Sequence, residues 1–480
     1  MNFSVVFNVL GRVLLCEGAL MALPMFIGLY YGEYNSVTAF LMTIALCAVA
    51  GFLLCRIKTK NKVFYIKEGF VITSLSWIMI SIFGAIPFYV TGTLTNPADA
   101  LFETVSGFTT TGASVLADVE ILSKSMLFWR SFTHWIGGMG VLVFLLMLTP
   151  VVGGSNANLM KAESPGPQVE KLVPKLQSTA KILYAIYICM TLIQFALLSA
   201  SGMSFFDAAA ITFGTAGTGG FGVLNDSVAS YTSIQQTIIM IFMILFGVNF
   251  SFYFLAMQHK MRKAFEFEEV HWYFIIIVIS AAVITFNIYP MYKNAGRAIH
   301  TSLFQVASII TTTGFSSVDF DKWPQLSRTI LVMLMFVGAC AGSTGGGIKI
   351  SRIVILFKTM CKEIHSFMHP QRIGKITLNK KPVAHETVRS INVFMVAYVA
   401  IFTVSILIIS LDNFDFTTNF TAVATTLNDV GPGLSLVGPT ENFAKFSVLS
   451  KFVLMFDMIA GRLEIFPLLL LLSPKTWKRF

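Results

Sequence analysis

Apolar residues in this chain gather into ten stretches, at about 10–31, 37–55, 69–91, 126–150, 180–201, 234–257, 272–292, 327–357, 388–411 and 446–472. A helix that crosses a bilayer needs about 20 mostly apolar residues, so the pattern predicts ten crossing helices. The last eight stretches fall into four pairs, and inside each pair lies a shorter amphipathic segment: 97–106, 204–214, 297–310 and 415–426. Segments of roughly ten residues are too short to cross at about 1.5 Å per residue, which predicts re-entrant half-helices. The expected fold is an all-α polytopic membrane protein. An extra N-terminal transmembrane hairpin, 1–67, precedes four helix–loop–helix repeats at 68–177, 178–268, 269–384 and 385–480. The first stretch holds Glu17 and Pro24 and lacks a small-residue cleavage pattern, so it reads as a span and not as a leader.

Each half-helix runs into a loop built around a glycine: Phe108-Thr109-Thr110-Thr111-Gly112, Gly217-Thr218-Gly219-Gly220-Phe221, Thr311-Thr312-Thr313-Gly314-Phe315 and Asn428-Asp429-Val430-Gly431-Pro432. Gly112, Gly220, Gly314 and Gly431 follow one another at intervals of 108, 94 and 117 residues, the mark of a fourfold internal repeat. Alignment on these glycines brings Phe102 onto Phe304, Val105 onto Ala307 and Asp99 onto Asp207. The two acids fall where a helix N-terminus favours negative charge. Irregular backbone is tolerated at membrane depth only where it is buried in protein or lines a water-filled cavity. Four such loops predict convergence on one pseudo-fourfold axis, the plan of an ion pore.

Conducting a cation means replacing its hydration shell with oxygen ligands, and consecutive carbonyls supply them where glycine lets the chain take φ > 0. The candidate ligands are Thr109, Thr110, Thr111 and Gly112; Gly217, Thr218, Gly219 and Gly220; Thr311, Thr312, Thr313 and Gly314; and Asn428, Asp429, Val430 and Gly431. Tight turns between helices are the plainer alternative. They account for one Gly-Thr loop easily, but for four in equivalent positions poorly.

Composition sharpens the class. Of 480 residues 55% are hydrophobic and 12% charged, with mean hydropathy +0.74, whereas soluble domains carry about 25% charged residues. The formal charge of +10 invites a nucleic-acid partner, but the basic residues sit in short segments between apolar stretches. Charge so placed reports membrane orientation, and no nucleic acid is expected. Arg56, Lys58, Lys60, Lys62 and Lys67, then Lys260, Arg262 and Lys263, then Arg352, Lys358, Lys362, Arg372, Lys375, Lys380 and Lys381, and finally Lys475, Lys478 and Arg479 share one side if ten helices cross. That side is expected to be cytoplasmic, with both termini on it. The opposite side carries Asp118, Glu120, Asp226, Asp319 and Asp321, and acids at a mouth concentrate cations. Cys16, Cys47, Cys55, Cys189, Cys340 and Cys361 lack metal spacing and read as buried small hydrophobes.

The segments Ser106-Gly107-Phe108-Thr109-Thr110-Thr111-Gly112, Thr311-Thr312-Thr313-Gly314-Phe315 and Leu427-Asn428-Asp429-Val430-Gly431-Pro432-Gly433 resemble the filter segments of the Trk/Ktr/HKT potassium transporter superfamily. The N-terminal hairpin, Trp135-Ile136-Gly137-Gly138-Met139-Gly140 and Gly342-Ser343-Thr344-Gly345-Gly346-Gly347-Ile348-Lys349 resemble its bacterial TrkH branch. The resemblance covers essentially the whole chain. It implies a potassium uptake subunit of a bacterial cytoplasmic membrane that forms a homodimer and is controlled by a cytoplasmic nucleotide-binding partner of the TrkA type. In the superfamily a serine at the first filter glycine accompanies sodium permeation; Gly112, Gly220, Gly314 and Gly431 are all glycine here, which favours potassium. The chain departs from the branch at Asn428-Asp429, where two amides are expected. An acid there either strengthens cation binding or faces away from the axis.

The eighth stretch is interrupted by 338–347, half of it glycine. Each glycine costs a helix interior about 1 kcal/mol, so the helix should break there and line a cavity. The resemblance implies a flexible intramembrane loop that plugs the pore, with Gly342, Gly345, Gly346, Gly347 and Lys349 as candidate gate residues. The alternative is a glycine surface for close helix packing. Arg462 stands inside the last stretch; an intramembrane arginine usually faces the interior or a partner. It reads either as a fixed positive barrier beside the plugging loop or as half of a buried ion pair.

Two motifs mislead. Residues 217–222 satisfy G-x-G-x-x-G without a preceding strand, and Ile348 separates Gly347 from Lys349 where a phosphate loop needs them adjacent. His365, His369 and His385 lie in a basic loop and suit solvent or a partner better than a metal. No clustered catalytic set is present, so no enzyme is expected. The leading reading is a gated potassium-selective channel-like subunit; the alternative is an alternating-access cation-coupled transporter, which would place substrate between inverted repeats.

Overall fold

The computed structural model describes residues 1–58, 65–140, 176–369 and 374–477. Part of the fourth apolar stretch, beyond Gly140, lies outside them, as do Lys60, Lys62, Lys175, Arg372, Lys478 and Arg479.

Four helices share one length. Ile66–Val90, Leu176–Ala200, Glu268–Tyr292 and His385–Ile409 each have 25 residues, about 37 Å at 1.5 Å per residue, enough for a hydrocarbon core of about 30 Å. Ahead of them, Phe3–Leu20 and Ala22–Tyr31 form one long apolar helix with a break at Met21. Pro24 has no N–H to return to the Leu20 carbonyl. A turn at Gly32, φ 75°, leads to Tyr34–Cys55. A Cβ at Gly11 would stand 2.7 Å from the Gly51 carbonyl oxygen, and one at Gly51 2.8 Å from that of Gly11. Small residues let two membrane helices approach this closely. Among the described residues, six helices are long and apolar enough to cross a membrane.

The α-helix that follows each glycine loop is shorter than the sequence pattern suggests. Lys124–Gly138, Ser233–Phe246, Gln325–Val337 and Val448–Arg462 have 15, 14, 13 and 15 residues, about 20 Å each. The break after Val337 was expected, and the chain resumes as Ile350–Met368. Two other breaks overturn expectation, because 234–257 and 446–472 read as continuous spans. At the first, the chain turns by 90° into Phe250–Met257; Gly247 sits against Tyr273, and Asn249 caps the new helix by accepting from the Ser251 N–H at 2.8 Å. At the second, Glu464 and Ile465 take φ of 56° and 69° before Phe466–Leu472 begins. Uninterrupted apolarity sets burial, not backbone continuity.

The four half-helices are Pro97–Thr109, Phe205–Gly217, Ala295–Ile310 and Phe416–Leu427. Each starts on a capping side chain: Asn96, Ser204, Asn294 and Asp415 accept from the backbone N–H groups of Ala98, Asp207, Arg297 and Thr418 at 3.0–3.1 Å. Such caps satisfy N-terminal donors that have no partner within the helix. Two features depart from the all-helical, buried-thiol expectation. Thr377–Leu378 pairs antiparallel with Lys381–Pro382 across a turn at Asn379 and Lys380, both at positive φ, a two-residue hairpin geometry. Cys47 and Cys340 are buried, but Cys189 and Cys361 lie exposed on helix faces.

Candidate functional site

The four glycine loops repeat one backbone conformation. Thr110, Thr218, Thr312 and Asp429 take φ of 61°, 55°, 58° and 55°, and two residues later Gly112, Gly220, Gly314 and Gly431 take 81°, 78°, 80° and 97°. The N–H of each left-handed residue returns to the carbonyl three residues back, on Gly107, Thr215, Ile309 and Thr426. The next N–H returns five residues, from Thr111, Gly219, Thr313 and Val430 to Ser106, Gly214, Ser308 and Thr425, at 2.9–3.0 Å. Helix C-termini are closed by bonds of this kind. The second left-handed turn then re-aims the strand, and there glycine is the residue that fits.

Contacts between loops follow a cycle. A side-chain carbon at Gly112 would run into the carbonyl oxygen of Gly219, one at Gly220 into that of Thr313, and one at Gly314 into that of Val430. At Gly431 it would stand 2.8 Å from the carbonyl oxygen of Thr111. Each loop's glycine thus backs onto the carbonyl that precedes the glycine of the next, and the fourth returns to the first. All four glycines line one cavity of about 170 Å³, with Ser114, Asn225, Glu441 and Asn442 among its other walls.

Side chains behind the loops hold this ring. The hydroxyls of Thr109 and Thr111 lie 2.8 Å apart and those of Thr311 and Thr313 2.7 Å apart, the same pairing in the first and third glycine loops. Thr111 also donates to Oδ1 of Asp429 at 2.8 Å. The Asp429 side chain therefore reaches from the fourth loop to the first. Asn428 accepts from the Tyr398 hydroxyl at 3.0 Å and donates to the Ala424 carbonyl.

Three residues that the sequence reading passed over complete the support. Arg130, buried, pairs with Glu103 at 2.6 Å, donates to the Gly222 carbonyl at 3.0 Å and lies 3.6 Å over the Phe221 ring. Glu103 in turn accepts from the N–H of Val115 and the hydroxyl of Ser114. His134 meets the Gly107 carbonyl at 2.7 Å, and its ring lies 4.2 Å from that of Phe221 at an interplanar angle of 34°. Arg130 stood inside an apolar stretch as Arg462 does, and that was the available signal.

At the rim of the cavity that the four glycines line, Asn225 donates to Asp118 at 2.8 Å. That hydrogen bond holds the Asp118 carboxyl below its ordinary range, so Asp118 keeps its charge to lower pH than a free carboxylate. The other acids assigned to this side serve it unequally. Asp319 pairs with Lys322 at 3.1 Å and Asp321 with Arg328 at 3.0 Å, which cancels part of the expected negative field.

The glycine-rich segment 338–349 lies directly against two of the loops. Gly346 N–H donates to the Thr312 hydroxyl at 2.6 Å, and Gly347 N–H to the Asn428 carbonyl at 3.0 Å. A Cβ at Gly345 would be 2.9 Å from the Thr311 carbonyl oxygen. Gly342, φ 68°, accepts from the Phe250 N–H. Lys349 is buried and donates to the Gly345 carbonyl, and Glu269 gathers the N–H groups of Ala341 and Ser351. Arg462 donates to the Thr344 carbonyl at 2.9 Å and to the carbonyls of Gly137 and Gly138. Glu464, two residues on, pairs with Arg352 at 2.5 Å, and Asp457 accepts from Ser405.

The TrkH model, described as a cation transport protein, matches residues 34–479. The chain is 33% identical over 487 residues to the Trk system potassium uptake protein TrkH of Escherichia coli, all of both chains being covered. It is 31% identical to TrkG of the same organism, over 95% of this chain and 94% of that one. The crystal structure of the potassium transporter TrkH from Vibrio parahaemolyticus superposes with TM-score 0.88 at 30% identity, over 100% of each chain.

Proposed function

The chain belongs to the TrkH family of cation transport proteins, and from that premise we propose that it is the potassium-selective, channel-like subunit of a regulated potassium uptake system. Ten crossing helices, some of them broken, form a hairpin (1–67) and four repeats (68–177, 178–268, 269–384, 385–480) around one pore. The filter consists of Thr109 to Gly112, Gly217 to Gly220, Thr311 to Gly314 and Asn428 to Gly431. Potassium is the cargo, and carbonyls from four sides stand in for its hydration shell. Glycine at all four ring positions keeps side chains out of that space.

The segment with Gly342, Gly345, Gly346, Gly347 and Lys349 is the gate, and Arg462 beside it adds a positive barrier to cations. The setting is the bacterial cytoplasmic membrane with both termini inside, as a homodimer under a nucleotide-binding subunit of the TrkA type.

One observation carries this reading: the closed cycle in which each glycine backs onto the next loop's carbonyl. All four joints run in the same sense, whereas alternating access draws on inverted halves. The test is flux through the purified chain in liposomes. Currents that reverse at the potassium equilibrium potential are expected; stoichiometric coupling to a proton or sodium gradient would instead select the alternating-access reading.

A further inference from the structure

The ring's four joints are not alike. At three of them an added carbon on the glycine would overlap the neighbouring carbonyl deeply, while at the fourth, Gly431 against Thr111, the approach is looser, at 2.8 Å. Only there, among the described residues, does a side chain bridge two of the loops: Oδ1 of Asp429 accepts from Thr111 at 2.8 Å, joining positions 318 residues apart. The other left-handed positions, Thr110, Thr218 and Thr312, carry threonine, whose side chain is too short to make that reach. Asp429 also touches the intramembrane segment. A Cβ at Gly346 would be 3.0 Å from the Cβ of Asp429, and one at Gly461, next to Arg462, 3.1 Å from its Oδ2. Oδ2 is fully buried and without a hydrogen-bond partner among the described residues, so it adds no second anchor. The neighbouring Asn428 carbonyl takes the Gly347 N–H at 3.0 Å.

We propose that Asp429 is the clasp that closes the ring between its last and first loops, and the positioning residue through which the intramembrane segment sets the width of that joint. The inference rests on the pore reading above. A cyclic cage holds its diameter only if every joint resists spreading, and the loosest joint decides its selectivity. The loose joint here is the one held by a side chain, and the gate presses on the residue that supplies it. Displacing Gly346 and Gly347 should therefore move Asp429 and slacken the filter in the same event.

The experiment uses the full chain in liposomes, reading the potassium-to-sodium permeability ratio from reversal potentials and basal flux without a regulatory partner. Asp429→Ala should lower the ratio about tenfold, the scale of one buried hydrogen bond, and raise basal flux together with it. Thr111→Val, which swaps the donating hydroxyl for a methyl, should shift both readouts in the same direction. The double variant should be no worse than the stronger single one, because both remove one contact. Asp429→Asn, still able to pair with Thr111, should recover most of the ratio lost in Asp429→Ala. Should Asp429→Ala fail to assemble, Thr111→Val carries the test alone. A conducting parent whose variants match it in both readouts overturns the clasp while leaving the pore reading intact. A parent silent to potassium overturns the pore reading itself.

Discussion

Gly112 shows how much one residue decides. Its φ of 81° lies in the left-handed region and its missing side chain faces the Gly219 carbonyl. A non-glycine residue bears about 1–2 kcal/mol of strain in that region, and here a steric overlap is added. Gly112→Ser should therefore tilt one side of the ring and lower the preference for potassium over sodium, with protein levels unchanged. The measurement is the shift in reversal potential; an unchanged permeability ratio would remove Gly112 from the filter. The glycine was legible in the sequence because only this residue type meets the backbone demand at four equivalent places. Arg130 and Glu103 were not. Their pairing joins the middles of two helices, at positions 27 residues apart, and no periodicity reports that two buried charges face each other.

Among elements, the broken second helices carry the gating argument. The break at 338–349 was readable because five glycines in ten residues oppose a helix. The breaks after Phe246 and Arg462 were not, since no cluster of glycines marks them and the turns come from a capping asparagine and from two non-glycine residues at positive φ. Arg462 ends one of these helices and reaches the Thr344 carbonyl of the glycine-rich segment. The guanidinium's planar fork suits several carbonyls at once. Arg462→Ala should raise basal potassium flux without a partner, and so should deletion of residues 345–347. Combining them should add little, because contacting groups couple. Arg462→Lys should stay nearer the parent in flux, keeping the charge but losing the fork. Liposome flux assays on the four proteins decide the matter: loss of folding in Arg462→Ala, or flux equal to the parent, would make Arg462 a structural tie.

At the scale of the whole molecule, the segment proposed as the gate runs directly into a helix rich in basic residues. Lys349 is the N-cap of Ile350–Met368, so a force on that helix acts directly on the segment packed against the loops. Lys358 on it joins Glu268, at the start of Glu268–Tyr292, and donates to the Thr377 carbonyl of the small hairpin at 2.8 Å. Lys380 of the hairpin pairs with Glu266 at 3.2 Å. These links make one block of the helix, the hairpin and the start of Glu268–Tyr292. If a regulatory ring docks on this face as proposed, it would reach the proposed gate without touching it.

Lys362 is the better docking charge, being half-exposed with its nearest acid, Glu363, at 3.9 Å, whereas Lys358 is already engaged. Neutralising Lys358, Lys362 and Arg372 together should weaken capture of a TrkA-type ring and make it more sensitive to salt, since exposed charges are screened over about 10 Å at 0.1 M. Lys358→Gln alone should act differently, altering basal flux through the block more than it alters capture. Co-purification at a series of salt concentrations, run beside flux on the same variants, separates the two roles. If the triple variant holds the ring at every salt concentration, these charges serve only to orient the chain in the membrane.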